Sequence, residues 1–116
     1  MTGPVTVGLD LGGTKCLGVV LSAAGEVVAE HRVPTPRGED AVIDALVSVA
    51  TELRSRAGDV SAAGVGAPGL VDRDGVLRFA PNLPGVFDLP VAKLLAERLS
   101  LPVSVDNDAT CTAWGE

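Results

Sequence analysis

Apolar residues alternate with smaller or polar ones at Val5, Val7 and Leu9 and again at Leu17, Val19 and Leu21, with Gly12-Gly13-Thr14-Lys15 between the two runs. A period of two on both sides of a Gly-Gly bend predicts a β-hairpin. Gly25, after Ser22-Ala23-Ala24, marks a further turn, and residues 27–33 alternate as a third strand that stops before Pro34 and Pro36. Three antiparallel strands therefore open the chain. The period then lengthens: Val42, Leu46, Val49, Ala50 and Leu53 fall at helical spacing, with Glu39 and Asp40 at the start, Arg54 and Arg56 near the end, and Gly58 as the stop.

The second half carries shorter signals. Ala62-Ala63-Gly64-Val65-Gly66-Ala67 predicts a buried strand running into a Pro68-Gly69 turn, and Asp74-Gly75 predicts a hairpin turn between 70–72 and 76–79. Two prolines and a glycine keep Ala80-Pro81-Asn82-Leu83-Pro84-Gly85 out of regular structure. Val91, Leu94, Leu95 and Leu99 predict a helix with Asp88 near its start and Lys93, Glu97 and Arg98 on its wet side. Leu101-Pro102 breaks it, Val103-Ser104-Val105 forms a short inner strand, and Asp106-Asn107-Asp108 stands at that strand's carboxyl end before a helix through 109–114. The order of elements is that of an α/β domain.

Composition narrows the class without changing that outline. The 116 residues, 47% hydrophobic and 21% charged, suit one core, and a chain of this length buries a little under ~70% of its unfolded surface. A net charge of -6 disfavours nucleic acid and anionic membranes as partners. No apolar run approaches the ~20 residues of a membrane span, and Met1-Thr2-Gly3-Pro4 lacks the basic flank and apolar core of a signal peptide, so a cytoplasmic protein is expected. Cys16 and Cys111 make no disulfide framework, and with His31 they are too few to build a zinc site alone. Cys16 is expected to pack in the core and His31 to lie on a strand surface.

Three places carry candidate chemistry. At the first bend, two glycines leave backbone amides uncovered, Thr14 adds a hydroxyl and Lys15 a cation, a set that suits phosphate oxygens. Asp10 at the strand end could hold Mg²⁺ beside them, directly or through water. Taken alone, the same stretch also describes an ordinary hairpin turn. The carboxamide of Asn82 suits neighbouring sugar hydroxyls, although an Asn between prolines is also a turn former, and Gly66 and Gly69 either line a cleft or only permit close packing. Asn107-Asp108 offers a helix cap or, aimed into a cleft, a carboxylate that accepts a proton from an attacking alcohol.

The strings around these residues resemble one family. Gly8-Leu9-Asp10-Leu11-Gly12-Gly13-Thr14-Lys15 is similar to the phosphate loop of the ROK family, sugar kinases and related repressors of the actin and hexokinase superfamily. Gly64-Val65-Gly66-Ala67-Pro68-Gly69-Leu70-Val71-Asp72 resembles the family's second signature at the sugar cleft, and Ala80-Pro81-Asn82-Leu83 the segment whose Asn hydrogen-bonds the hexose. Val105-Asp106-Asn107-Asp108-Ala109, with Trp114-Gly115-Glu116, resembles the active-site segment in which the Asp of the Asn-Asp pair is the base. Asp106 and Thr110 depart from the Glu and Asn usual there.

The resemblance implies a ribonuclease H-like lobe of an actin-like ATPase, with a five-stranded mixed sheet and helices on both faces. It implies ATP-dependent phosphorylation of a hexose, glucose to glucose 6-phosphate by default, because the Asn82 and Trp114 segments look most like bacterial glucokinases of the family. Asp108 would be catalytic; Gly69, Asn82, Asn107 and Asp108 would bind substrate; Asp10, Gly12, Gly13, Thr14 and Lys15 would bind ATP phosphates, with Mg²⁺ at Asp10. The family's structural zinc has its ligands outside these residues. Residues 1–116 are expected to be the N-terminal lobe, cut within its last helix and without its C-terminal partner, hence inactive alone and exposing apolar surface near Trp114; the intact protein is expected to be a homo-oligomer. The alternative within the family is a non-catalytic, sugar-sensing transcriptional regulator.

Overall fold

The computed structural model describes residues 5–83 and 85–107. Strand β1 (Thr6–Leu11) turns into β2 (Lys15–Leu21), and a second turn leads to β3 (Val27–Pro34), as the alternation predicts. Helix α1 (Glu39–Ala57) follows, then β4 (Ala62–Ala67), the short strands β5 (Leu70–Val71), β6 (Leu77–Phe79) and β7 (Phe87–Leu89), helix α2 (Val91–Leu99) and β8 (Val103–Asn107).

Five strands form the main sheet in the order β3-β2-β1-β4-β8. The first three are antiparallel neighbours, while β4 and β8 run parallel to β1. Period-two patterning explains the layering: Val7, Leu9 and Leu11 of β1, Cys16 and Val20 of β2, and Ala63, Val65 and Ala67 of β4 are all buried. Onto that face α1 lays Val42, Ile43, Leu46, Val49, Ala50 and Leu53, the expected stripe with Ile43 added. Its end is set by Gly58, at φ +84°, whose amide donates to Arg54 O at 3.0 Å.

Helix α2 lies beside α1. Arg54 Nη1 donates to Leu99 O at 2.8 Å, and Arg98 Nη1 pairs with Asp44 Oδ1 at 3.0 Å. The helix expected over 109–114, including Trp114, falls outside the described residues. Close approach of α1 to the sheet depends on Gly18: a Cβ there would run into Val49 Cγ1 and come within 2.7 Å of Leu53 Cδ1 and 3.1 Å of Leu9 Cδ2.

The connection between β4 and α2 departs from expectation in one respect. Residues 87–89 form a strand, so a three-stranded antiparallel sheet β5-β6-β7 takes the place of a lone hairpin. Asp88 belongs to that strand and pairs with Arg78 at 3.2 Å, and Pro90 stands at the N-cap position of α2 with no side-chain cap hydrogen bond. The Asp74-Gly75 turn forms as read, held by Asp72, whose Oδ1 accepts from Asp74 N at 2.9 Å and Val76 N at 3.1 Å. These amides, Val76 foremost, and the Arg78 guanidinium at 2.9 Å hold the Asp72 carboxyl below the usual range.

Two outcomes follow for stability. Gly18→Ala overpacks the interface between β2 and α1 and is expected to cost about 1–3 kcal/mol. Gly64→Ala, whose Cβ would sit 3.6 Å from Ser104 Oγ in ordinary contact, is expected to be neutral or stabilising; urea midpoints followed by circular dichroism compare the two. Because the folded pKa of Asp72 is depressed, its contribution is present above the unfolded carboxylate pKa and lost as pH falls through the folded value. The gap in urea midpoint between wild type and Asp72→Ala is therefore expected to be full at neutral pH and to shrink below about pH 4.

Candidate active site

Register places the sheet's chemistry on one edge. Asp10 of β1 pairs in parallel with Gly66 of β4, and Gly66 with Asp106 of β8, so the three strands reach their carboxyl ends at the same level. In open α/β sheets the loops leaving such an edge form the binding crevice. Among the described residues they are the Gly12-Gly13-Thr14 bend and the Pro68-Gly69 turn, with Asn107 at the end of β8 beside them.

The first bend is closed by Gly12 N donating to Lys15 O at 3.0 Å. Gly13, Thr14 and Lys15 lie exposed along it, as does Asp10 at the end of β1. A second hold comes from the residue after β3. Thr35 N donates to Thr14 O at 3.0 Å, and Thr35 Oγ1 donates to Gly12 O at 2.7 Å. Behind the bend the buried Cys16 places Sγ 3.5 Å from Thr35 Oγ1. Burial pushes the Cys16 thiol up, with the Asp10 charge adding to the effect and the Thr35 contact opposing it. The expectation of a packing cysteine holds, and His31 lies half-buried on β3.

Asn82 approaches from the other side of the bend. A Cβ on Gly13 would lie 2.9 Å from Asn82 Cβ and 3.1 Å from Asn82 O, so the two backbones meet only because residue 13 has no side chain. The irregular loop that carries Asn82 is folded by Leu83 N to Ala80 O at 3.1 Å and Val86 N to Leu83 O at 3.2 Å, and anchored by buried Ala80, Leu83 and Val86. A cleft of about 240 Å³ runs between these parts, with Gly13, Thr35, Arg37 and Asn82 among its walls.

Gly69 and Asn107 form the other contact. Asn107 Nδ2 donates to Gly69 O at 2.7 Å, across from β8 to the turn after β4, and Asn107 N donates to Asp106 Oδ1 at 2.8 Å. Gly69 sits at φ +85°, and a Cβ there would collide with the Phe79 carbonyl. Both features demand glycine. Gly13 and Asn82 thus meet at one point of the edge and Gly69 and Asn107 at another; Asp108 lies outside the described residues.

Among the described residues no group of three or more His, Cys, Asp or Glu could hold a metal ion. Asp10 and Asp106 stand two strands apart in one row of the sheet, about 10 Å between their backbones. Asp10 alone fits the sparse protein ligation typical of magnesium that arrives with phosphates. Thr35 and Arg37 were not legible as site residues, since Pro34-Thr35-Pro36-Arg37 reads as a connection; the signal, if any, was a hydroxyl held between two prolines.

Comparison with known proteins gives this edge a context. The family model described as "ROK family" matches residues 6–116. A glucokinase of Streptomyces coelicolor is 39% identical over 113 residues, 97% of this chain and 35% of that protein. Among solved structures, a ROK family glucokinase from Streptomyces griseus, in complex with glucose and AMPPNP, superposes with a TM-score of 0.90 at 35% identity, covering 97% of this chain and 36% of that one. A ROK hexokinase from Thermus thermophilus gives 0.87 at 41% identity, covering 94% of this chain and 37% of that one. The chain thus spans about a third of the length of the relatives it matches. With the family match running through the residues of the strand-end edge, and with the actin-like ATPase fold shared with these sugar kinases, the chain belongs to the ROK family.

Proposed function

We propose that this lobe supplies the acceptor and phosphate-loop half of an ATP-dependent hexose kinase, with glucose as the substrate and glucose 6-phosphate as the product. The observation that carries the reading is the meeting of Gly13 with Asn82 on the edge where Asn107 is held by Gly69. A loop suited to phosphate oxygens thereby adjoins a carboxamide suited to sugar hydroxyls. The Streptomyces griseus relative, solved with glucose and AMPPNP, adds support.

In this reading the Gly13 amide, the Thr14 hydroxyl and the Lys15 ammonium face the phosphate chain and offset its charge, while the Gly12 amide closes the bend on Lys15 O. Asp10 would hold Mg²⁺, directly or through water, and the ion would neutralise charge on the phosphates. Asn82 and Asn107 orient the hexose through paired donor and acceptor atoms. The hold of Gly69 O on Asn107 Nδ2 fixes the plane of that carboxamide before sugar arrives. Asp108 accepts the proton of the attacking hydroxyl as its oxygen bonds to the γ-phosphorus and the bond to the β–γ bridging oxygen breaks, leaving ADP. A kinase cleft closes between two lobes to exclude water, so this lobe by itself is expected to show no appreciable turnover.

The test is formation of ADP and sugar phosphate by the intact gene product over a panel of hexoses. Asp108→Asn is expected to lower kcat by about 10²–10⁴-fold with glucose affinity little changed. Near-wild-type turnover would remove Asp108 from the role of base. Gly13→Ala drives a methyl group against Asn82 and is expected to raise KM for both ATP and hexose, with a loss in kcat/KM of up to about 10²-fold. No phosphorylated product from any hexose, together with sugar-dependent retention of DNA, would favour the sugar-sensing regulator instead.

A further inference from the structure

We propose that Thr35, which belongs to none of the strings that resemble the family, is the positioning residue that presets the phosphate loop for its nucleotide. The inference rests on the kinase reading for its functional consequence, and on geometry alone for its structural one.

A Gly-Gly bend is the least ordered backbone a chain can offer, since glycine takes either sign of φ and loses the most freedom when fixed. Amides that must meet phosphate oxygens therefore need to be held from outside the bend. Thr35 does this twice, through its amide to Thr14 O at 3.0 Å and its hydroxyl to Gly12 O at 2.7 Å. The peptide group is planar and trans, so fixing the Gly12 carbonyl also fixes the Gly13 N–H, which points the opposite way. One side-chain hydrogen bond thus sets the direction of an amide that a phosphate would use.

Thr35 is itself presented rigidly. Pro34 closes β3 opposite Lys15, and Pro36 confines the residue before it to extended backbone. The threonine hydroxyl has one hydrogen, which goes to Gly12 O, so the contact with Cys16 is a thiol donating to Thr35 Oγ1. Burial keeps that thiol protonated, which preserves the order Cys16 to Thr35 to Gly12. The hydroxyl rotor is locked from both sides.

The experiment compares Thr35→Val, which keeps shape and loses the hydroxyl, with Thr35→Ser, which keeps the hydroxyl, in the intact gene product. Hydrogen exchange of the amides at 12–15 reads the structural claim without requiring activity; kcat, KM for ATP and calorimetric glucose affinity read the functional one. Thr35→Val is expected to speed exchange at Gly12, whose amide donates to Lys15 O across the bend, and to lower kcat/KM for ATP by about tenfold, the scale of one lost hydrogen bond, with glucose affinity within about twofold of wild type. Thr35→Ser is expected to restore both. Unchanged exchange in Thr35→Val, a loss shared equally by glucose binding, or a Thr35→Ser variant as impaired as Thr35→Val would each overturn the proposal. Absence of hexose phosphorylation by the wild-type protein would instead sink the kinase reading, and the exchange comparison would then decide by itself whether Thr35 sets the loop.

Discussion

The parallel alignment of β1, β4 and β8 is the constraint on which the rest depends. Asp10, Gly66 and Asp106 occupy one row across the sheet, so three strand ends that are far apart in sequence stand side by side. A one-residue slip of β4 would turn Ala63, Val65 and Ala67 away from the core and displace the Gly69 carbonyl from Asn107. The hydrophobic pattern that selects the fold therefore also selects the register of the site. Gly18 contributes to the packing beneath it, because the absence of a Cβ there lets Val49 and Leu53 of α1 seat on the sheet.

Much of this was legible in the residues because periodicity and turn chemistry agreed. The alternation in β1 and β2, the helical spacing of Val42, Leu46, Val49, Ala50 and Leu53, and the Asp74-Gly75 turn each have a local cause that tertiary packing did not override. β7 was not legible for a reason equally local. It is three residues long, follows a loop rich in proline and glycine, and contains Asp88 at φ +49°, so no alternation can develop. Asp88 does lie near the start of α2, but within β7 and outside the helix. The guanidinium of Arg78, on the neighbouring strand, takes that carboxylate.

The site was legible only in part, and the division is physical. Residues whose chemistry shows in their own side chains, such as Asp10, Lys15, Asn82 and Asn107, could be named from their strings, yet each had an ordinary structural role that spacing alone could not discount. What spacing could not express was proximity. That Gly13 must lack a side chain because Asn82 lies against it is a fact about two loops separated by the whole of α1 and β4. Thr35 is the extreme case, since its function as a hold on the bend consists entirely of contacts with Gly12, Thr14 and Cys16 and leaves no trace in its neighbours beyond two prolines.

Exposure of Asp10, Thr14, Lys15 and Asn82 defines what such a lobe can and cannot contribute. Two unit charges 4 Å apart interact by about 1 kcal/mol in bulk water and by about 4 kcal/mol at the effective dielectric of a protein surface. An open phosphate loop therefore stabilises little charge, however well its groups are placed. In the proposed kinase its contribution would be to hold those groups in place before a cleft closes, so that excluding water strengthens interactions whose geometry has already been set. On that view the rigidity of the Gly12-Gly13 bend matters more than its charge, and the hydrogen bonds made behind it belong to the catalytic design as much as the groups in front.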